Sequence, residues 1–144
     1  MNFRPYQLEA IAGIQRELTT GTSTILVLPT GTGKTIVFAG VAELEKFTDH
    51  RVMVIAHREE LIRQAAHKIE IVTGERPTID MADEVADATP WYKSRIVVSS
   101  VQTANAKRNQ SPRMEKFDPN AFGLLIIDEA HHAPTATYGR CIDW

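Results

Sequence analysis

A glycine- and threonine-rich segment is the first place where residue types and spacing indicate chemistry. It runs from Leu28 to Thr35 (LPTGTGKT), after an apolar run and before a helical pattern. Gly31 and Gly33 let successive N–H groups point into one concavity, where a helix N-terminus adds partial positive charge. The segment therefore predicts a phosphate cradle in which Lys34 contacts the β- and γ-phosphates and the Thr35 hydroxyl completes the shell of a Mg²⁺ ion.

The same segment can also be interpreted as a plain Gly/Thr-rich turn, with Lys34 exposed at the start of a helix. The full pattern G-x-x-x-x-G-K-[ST] has glycine where this chain has Leu28. The strand-like run before the loop and the helical pattern after it favour the phosphate cradle. The residues expected to form it are Thr30, Gly31, Thr32, Gly33, Lys34 and Thr35.

Two adjacent carboxylates, Asp128 and Glu129, directly follow the apolar run 124–127. In an open α/β sheet a ligand binds beyond the carboxyl ends of the strands, where Lys34 and Thr35 would also lie. Asp128 is then placed to hold Mg²⁺, and Glu129 to orient and deprotonate the water that attacks the γ-phosphate. Taken alone, the two acids could equally cap the following helix. The phosphate loop upstream favours the catalytic interpretation.

A zinc site is the other chemistry that this region suggests. His131, His132 and Cys141 are the available ligands, but their spacing fits no common zinc pattern, and the chain has no second cysteine. One cysteine also excludes an internal disulfide framework and fits a reducing compartment.

Elements that could position these groups alternate along the chain. Continuous apolar runs predict strands buried on both faces at 24–28, 52–56, 96–99 and 124–127. Helical spacing predicts a first helix that ends at Gly21, a second that begins at Lys34 and a third that ends before Gly74. The alternation predicts an α/β fold with a mainly parallel sheet.

Two segments are predicted to lie at the surface. Residues 74–94 contain acidic side chains, including Asp80, and predict an excursion with one short helix. Residues 107–120 predict an exposed loop, because they combine prolines and asparagines with basic residues. Those basic residues are expected to be solvated; they are Lys107, Arg108, Arg113 and Lys116.

Length and composition bound the possible functions. The chain has 144 residues, which is enough for one domain at roughly 100 to 200 residues per domain. Hydrophobic residues make up 43% and charged residues 24%, and the net charge is −2, so any polyanionic partner must be held by local geometry. No apolar stretch approaches the roughly 20 residues of a membrane span. Because no secretory signal is visible either, we expect a cytoplasmic or nucleoid location.

With both phosphate-side motifs identified, the chain resembles the first RecA-like domain of a superfamily 2 DEAD/DEAH-box helicase, of the DEAH type. The sequences of motifs Ia and II are most similar to those of the branch that contains restriction-enzyme motor subunits and excision-repair helicases. The similar segments, in chain order, are Arg4–Gln7 (Q motif), Pro29–Thr35 (motif I), Ala56–Leu61 (motif Ia), Ser100–Thr103 (motif Ic) and Asp128–Ala133 (motif II).

This resemblance implies a three-layer RecA-like P-loop NTPase fold that binds ATP and Mg²⁺. It implies that Gln7 pairs with the adenine edge while Arg4 or Phe3 packs on the base. It further implies that His131 relays the state of the γ-phosphate towards the nucleic acid.

The resemblance also implies that one nucleic-acid strand, with DNA favoured over RNA, is held on the face opposite ATP. Its phosphates would be contacted, with little sequence preference, by His57, Arg58, Gln102 and Thr103. For Arg58, a plain ion pair with Glu59 or Glu60 on an exposed helix is the alternative.

The similarity stops after motif II. By comparison with the family, motif III, its strand and the whole second RecA-like domain with the arginine finger are missing, so we expect residues 1–144 to be a partial domain. Such a finger raises the rate by roughly 10³ to 10⁵, and the fragment alone should therefore hydrolyse ATP poorly. Two rival functions are a P-loop NTPase or kinase that does not act on nucleic acid, and a non-catalytic nucleic-acid-binding fragment.

Overall fold

The computed structural model describes residues 2–45, 50–88, 94–108, 110–132 and 135–144. Its α-helices are α1 (Pro5–Thr20), α2 (Lys34–Glu45), α3 (Glu59–Thr73), α4 (Val101–Asn105) and α5 (Ala136–Asp143). Its strands are β1 (Arg51–Ala56), β2 (Thr78–Asp80), β3 (Ile96–Ser100), β4 (Lys107–Arg108), β5 (Ser111–Pro112) and β6 (Phe122–Ile127). Short 3₁₀ turns cover Arg113–Lys116, Pro119–Ala121 and Ala130–His132.

The main sheet has four strands in the order β2-β3-β1-β6, and every pairing in it is parallel. Val54 in the centre of β1 pairs with Val98 on one side and Ile126 on the other. The predicted α/β fold with a parallel sheet is thereby confirmed. Because the strands are parallel, their carboxyl ends all lie at one edge of the sheet.

Both faces of the sheet are covered, which explains the continuous apolar runs of its strands. Val52 and Val54 pack with α2 and α3 in one core, whereas Met53 and Ile55 pack on the other side with residues of α4 and α5. Helices therefore lie above and below the sheet, giving the three layers that were expected. No helix among the described residues combines the length and apolar character that crossing a bilayer requires.

One boundary of each of α1, α2 and α3 lies where the sequence pattern predicted it. Helix α1 ends at Thr20, and the Gly21 N–H donates a 2.8 Å hydrogen bond to the carbonyl of Glu17. Helix α3 ends at Thr73, and Gly74 after it has φ 70°, the left-handed conformation that glycine adopts at little cost. These two ends, and the start of α2 at Lys34, are as predicted.

The prediction of a strand over 24–28 is wrong for the described chain. Residues 23–29 belong to no strand, and Ile25 and Val27 are 78% and 85% exposed. Leu26 and Leu28, by contrast, pack beside Val37 in a third core between α1 and α2. An apolar run becomes a strand only when a neighbour accepts its hydrogen bonds, and no described strand pairs with this segment.

The acidic excursion also differs from its prediction. Its described part contains β2 and an isolated bridge between Met81 and Glu84, and no helix. Asp80 is only 1% exposed, and its Oδ1 atom accepts hydrogen bonds from Arg113 (3.1 Å) and Lys116 (2.6 Å). A buried carboxylate needs such partners, because burial removes the water that would otherwise stabilise its charge.

The prediction of an exposed, solvated loop over 107–120 is therefore wrong at its centre. Arg113 and Lys116 leave 11% and 24% of their side chains exposed, and Met114 and Phe117 between and after them are buried. Lys107 remains exposed on the β4-β5 hairpin, and the Arg108 side chain lies outside the described part of the structure. The centre of the segment that was predicted to be a surface loop packs against one face of the sheet, where Asp80 holds it through Arg113 and Lys116.

Candidate functional site

The phosphate loop turns sharply between residue 29 and the start of α2. Gly31 and Gly33 have φ values of 81° and 83°, which are the left-handed conformations that the predicted cradle requires. Between them, Thr32 is held by its hydroxyl, which donates a 2.7 Å hydrogen bond to the carbonyl of Pro29. The alternation of positive φ with ordinary backbone directs successive N–H groups to one side.

The amides of this loop are available to a ligand. Among the described residues, no protein acceptor bonds the N–H groups of Gly31, Gly33, Lys34 and Thr35. The last two lie in the first turn of α2, whose N–H groups have no intrahelical partner and carry partial positive charge. Several convergent donors at a helix start form an anion site, which fits phosphate.

The first helix contacts this loop directly. The Tyr6 hydroxyl donates a 2.6 Å hydrogen bond to the carbonyl of Thr32, and the Gln7 Nε2 atom lies 3.4 Å from the same oxygen. Gln7 Oε1 accepts a 2.9 Å hydrogen bond from the N–H of Arg4. At 6% exposure Gln7 is buried, and its pairing with adenine stays a prediction.

Tyr6 was not among the site residues predicted from the sequence. The signal that could have found it is its position inside the Arg4–Gln7 motif. Of the two candidates for packing on a base, Arg4 is exposed, whereas Phe3 is half-buried against the third core.

The two carboxylates lie where β6 ends. The N–H of Asp128 donates a 2.9 Å hydrogen bond to the carbonyl of Ile55, which extends the β1-β6 pairing by one residue. The Asp128 side chain accepts a 3.0 Å hydrogen bond from the N–H of Glu129. Glu129 has φ 55°, an unusual value for a residue with a side chain, and such backbone is found disproportionately at functional sites.

Electrostatics connects these carboxylates with the phosphate loop. Burial raises the pKa of Asp128, the negative charge of Glu129 raises it further, and the hydrogen bond from the Glu129 N–H and the positive charges of Lys34 and Lys68 lower it. The ammonium of Lys34 is therefore close enough to Asp128 to act on its charge. Packing also connects the loop with the strand before the carboxylates, because Leu28 and Val37, on either side of the loop, share the third core with Leu124 of β6.

His131 lies on the short turn after the carboxylates and is exposed. Its Nδ1 atom is 3.2 Å from the Oε2 atom of Glu129. The relay role implied by the resemblance stays a prediction, as do the roles of Asp128 and Glu129. No group of three His, Cys, Asp or Glu side chains in the described residues is arranged to hold a metal. Cys141, a ligand of the zinc alternative, is fully buried.

The candidate nucleic-acid residues follow β1 and β3, which are neighbours paired from Val52↔Ile96 to Ala56↔Ser100. Gln102 Nε2 and His57 Nδ1 are 3.2 Å apart, so motifs Ia and Ic touch at the surface. Arg58 is exposed at the N-cap of α3 and makes no ion pair among the described residues; Arg63 instead pairs with Glu59.

The parallel sheet also fixes the edge at which this group lies. Since β1, β3 and β6 are parallel, His57 and Gln102 lie at the same edge of the sheet as Asp128, while the face on which a nucleic-acid strand is held stays a prediction. Thr103 differs from its neighbours, because it is 8% exposed and its hydroxyl accepts a 3.3 Å hydrogen bond from the N–H of Ala82. The accessible donors of this group are thus His57, Arg58 and Gln102.

Comparison with known proteins places this geometry in a family. The profile of the family described as "Type III restriction enzyme, res subunit" matches residues 1–144. The putative ATP-dependent helicase IRC3 of Saccharomyces cerevisiae is 31% identical over 97% of this chain and 20% of its own length. The putative mitochondrial ATP-dependent helicase irc3 of Schizosaccharomyces pombe is 29% identical over 99% of this chain and 23% of its own length.

A solved structure shares the fold. It is a nuclease-deletion mutant of the Type ISP restriction-modification enzyme LlaGI in complex with a DNA substrate mimic, with a TM-score of 0.71, 17% identity, and coverage of 97% of this chain and 16% of that chain. The chain spans about a fifth of the length of the curated relatives named above. The family profile, which matches the whole chain, shows that the chain belongs to the family of type III restriction enzyme res subunits, and the sequence relatives agree that it is an ATP-binding, helicase-type RecA-like domain of superfamily 2.

Proposed function

We propose that this chain is the ATP-binding half of a nucleic-acid-dependent ATPase that works, in the full-length protein, as a helicase or translocase. One observation carries the proposal: amides of the phosphate loop have no protein acceptor among the described residues, the positive charge of Lys34 acts on Asp128, and Asp128 follows β6 at the edge of the sheet that also bears His57 and Gln102. These features support a phosphate site and a surface for a second polyanion on one sheet.

The proposed Mg²⁺ site consists of the Thr35 hydroxyl and the Asp128 carboxylate. Hard oxygen ligands of this kind suit Mg²⁺, which neutralises phosphate charge when it is bound. Burial raises the pKa of Asp128, which means that its negative charge is incompletely hydrated, and a nearby cation would stabilise that charge. The chemistry of these two oxygen ligands therefore suits the ion.

In the proposed reaction the amides of the loop and Lys34 hold the phosphates. Glu129 accepts a proton from the water whose oxygen bonds to the γ-phosphorus; the bond between that phosphorus and the oxygen bridging to the β-phosphate breaks, and ADP and inorganic phosphate are released. His131, 3.2 Å from Glu129, is proposed to pass the state of this carboxylate towards the surface. Tyr6 and Gln7 hold the loop through Thr32, and Gln7 is proposed to contact adenine beside Arg4.

The proposed nucleic-acid contact is made by His57, Arg58 and Gln102. Thr103 is buried and supports this surface through its hydrogen bond with the N–H of Ala82. Donors of this kind bind phosphates, so binding should tolerate many sequences and weaken with salt. DNA is favoured over RNA, since the complex with the same fold contains a DNA substrate mimic.

Two further points remain proposals. Isolated residues 1–144 should hydrolyse ATP very slowly, because an arginine finger supplied by a second domain is worth roughly 10³ to 10⁵ in rate. The location is proposed to be cytoplasmic, although one relative is named as mitochondrial.

Glu129→Gln in the full-length protein tests the proposal. The amide keeps the shape of the side chain but cannot take a proton, so ATP should still bind while turnover falls by about 10² or more. Lys34→Ala should instead weaken ATP binding, because it removes the main cation facing the phosphates. Glu115→Gln, at an exposed position away from the loop, is the matched control.

Two results would contradict the proposal. Unchanged turnover in Glu129→Gln would remove Glu129 from the reaction. Turnover that single-stranded DNA and RNA both fail to stimulate in the wild-type protein would favour the rival, an NTPase or kinase that does not act on nucleic acid. A wild-type protein with no turnover at all would favour the non-catalytic rival.

A further inference from the structure

Asn105 is the last residue of α4, the helix that begins within motif Ic, and its side chain joins α4 to α5, the helix that follows motif II. Its Nδ2 atom lies 3.0 Å from the carbonyl of Thr137 and 3.3 Å from the sulfur of Cys141, both in α5. In return, Nε of Arg140 donates a 2.8 Å hydrogen bond to Asn105 Oδ1. One side-chain amide thus contacts three residues of α5 with both its donor and its acceptor.

The same amide is also anchored in its own helix. Asn105 Nδ2 lies 2.8 Å from the carbonyl of Val101, one turn earlier. Since an amide nitrogen has only two hydrogens, its three acceptors share them, and the orientation of the group is set from both helices at once. A shift of α4 along its axis would break the bonds to α5 or carry α5 with it.

At its other end α4 reaches the candidate nucleic-acid surface. Gln102, in its first turn, contacts His57, and Ser100 caps the helix by accepting a 2.9 Å hydrogen bond from the N–H of Thr103. A phosphate that pulled on Gln102 would therefore act on a five-residue helix whose far end is Asn105.

Helix α5 in turn packs in one core with the strand that ends at the candidate catalytic carboxylates. Tyr138 of α5, which is 2% exposed, packs in the same core as Ile127, the residue before Asp128. Burial raises the pKa of its hydroxyl, and the negative charges of Asp128 and Glu129 raise it further. Position and tilt of α5 therefore influence the surroundings of both acids.

We propose that Asn105 is a positioning residue that transmits nucleic-acid contact at α4 to the ATP site through α5. This inference rests on the proposed function. Nothing in it requires Asn105 to touch ATP or nucleic acid; its effect is exerted through the bonds to Thr137, Cys141 and Arg140. Removing the amide should uncouple the two sites while leaving each of them intact.

The test measures ATP turnover of the full-length protein with and without a single-stranded poly(dT) oligonucleotide. For Asn105→Ala we expect basal turnover and oligonucleotide affinity near those of the wild type, and a maximal stimulated rate lowered by about fivefold or more, as expected for loss of coupling. Asn120→Ala, at an exposed asparagine that bonds only within its own turn, is the matched control and should be stimulated normally.

Arg140→Ala provides a second variant that spares the core, since Arg140 is exposed. It should lower stimulation in the same direction but less, and the double variant should be no worse than Asn105→Ala, because both act through one contact. This variant also keeps the proposal testable if Asn105→Ala does not fold.

The outcomes are distinct. If the wild type is stimulated and both variants are stimulated equally well, the inference fails while the proposed function stands. If basal and stimulated rates fall together with the melting temperature, Asn105 is only structural, and the inference is again overturned. If the wild type itself is not stimulated by any nucleic acid, the proposed function fails and this inference fails with it.

Discussion

The hydroxyl group of Tyr6 donates a 2.6 Å hydrogen bond to the backbone carbonyl of Thr32, across 26 positions of the chain. The bond ties the first turn of α1 to the centre of the phosphate loop, between the two glycines with positive φ. The conformation of the loop thus depends on a residue outside the loop, whose packing in turn depends on α1.

Tyr6→Phe should loosen the phosphate loop without disturbing the core. Only one hydroxyl is lost, and a hydrogen bond to a neutral carbonyl is worth about 1 kcal/mol, so the Kd for ATP should rise about fivefold at most. Binding of a fluorescent ATP analogue to the full-length protein measures this change. An unchanged Kd would mean that the loop holds its shape without Tyr6.

Gly33→Ala should impair the phosphate loop more than Gly31→Ala. Both glycines have φ near 80°, so the backbone cost, about 1 to 2 kcal/mol, is common to both variants. A Cβ atom at Gly33 would lie only 2.9 Å from Gln7 Nε2, whereas a Cβ atom at Gly31 would have nothing within 4 Å. ATP affinity and thermal unfolding of the two variants measure the difference.

A double variant isolates the cause of that difference. In a Gln7→Ala background, Gly33→Ala and Gly31→Ala should lower the melting temperature by equal further amounts, because the shorter side chain at position 7 removes the clash and leaves only the backbone cost common to both glycines. Equal defects in Gly31→Ala and Gly33→Ala would show that contact with Gln7 does not constrain the loop.

Asp80→Ala should be among the most destabilising single changes in this domain. It leaves Arg113 and Lys116 half-buried without the carboxylate that both contact at 3.1 and 2.6 Å, and breaking a buried pair costs about 3 to 5 kcal/mol. Denaturant unfolding measures the loss. Glu59→Ala is the control, because its ion pair with Arg63 is exposed and should matter little.

Cys141 should resist alkylation in the folded protein up to high pH. Burial raises the pKa of its thiol, and only the thiolate reacts. In the unfolded chain the thiol ionises near pH 8.5, so above that pH unfolding releases its proton and the free energy of unfolding falls as pH rises. Iodoacetamide labelling from pH 7 to 10, followed by mass spectrometry of the Cys141 peptide, measures the effect.

The same experiment has a clear contrary result. Labelling of native Cys141 as fast as in denaturant, at any pH in this range, would mean that α5 does not bury the thiol. Cys141→Ala identifies the signal of this residue against any other cysteine of the full-length protein.

Local pattern was sufficient for much of the fold. Gly74 marks the end of α3 because glycine adopts the left-handed conformation there at little cost. The runs at 52–56, 96–99 and 124–127 are strands because a sheet covered on both faces demands continuous apolar residues. The phosphate loop and the acidic pair were also visible in sequence, since their chemistry requires particular residues at short spacing.

Tertiary structure decided what depends on distant partners. The run at 24–28 has the composition of a strand but no described strand beside it. The sequence around Asp80 indicates a surface acid, whereas in the fold Arg113 and Lys116, more than 30 positions away, bind its carboxylate. Tyr6 and Asn105 could not be assigned from spacing, because their partners, Thr32 and the α5 helix, come near only when the chain folds. Hydrogen bonds between remote residues leave no periodic trace in a sequence, and for that reason only the folded chain reveals them.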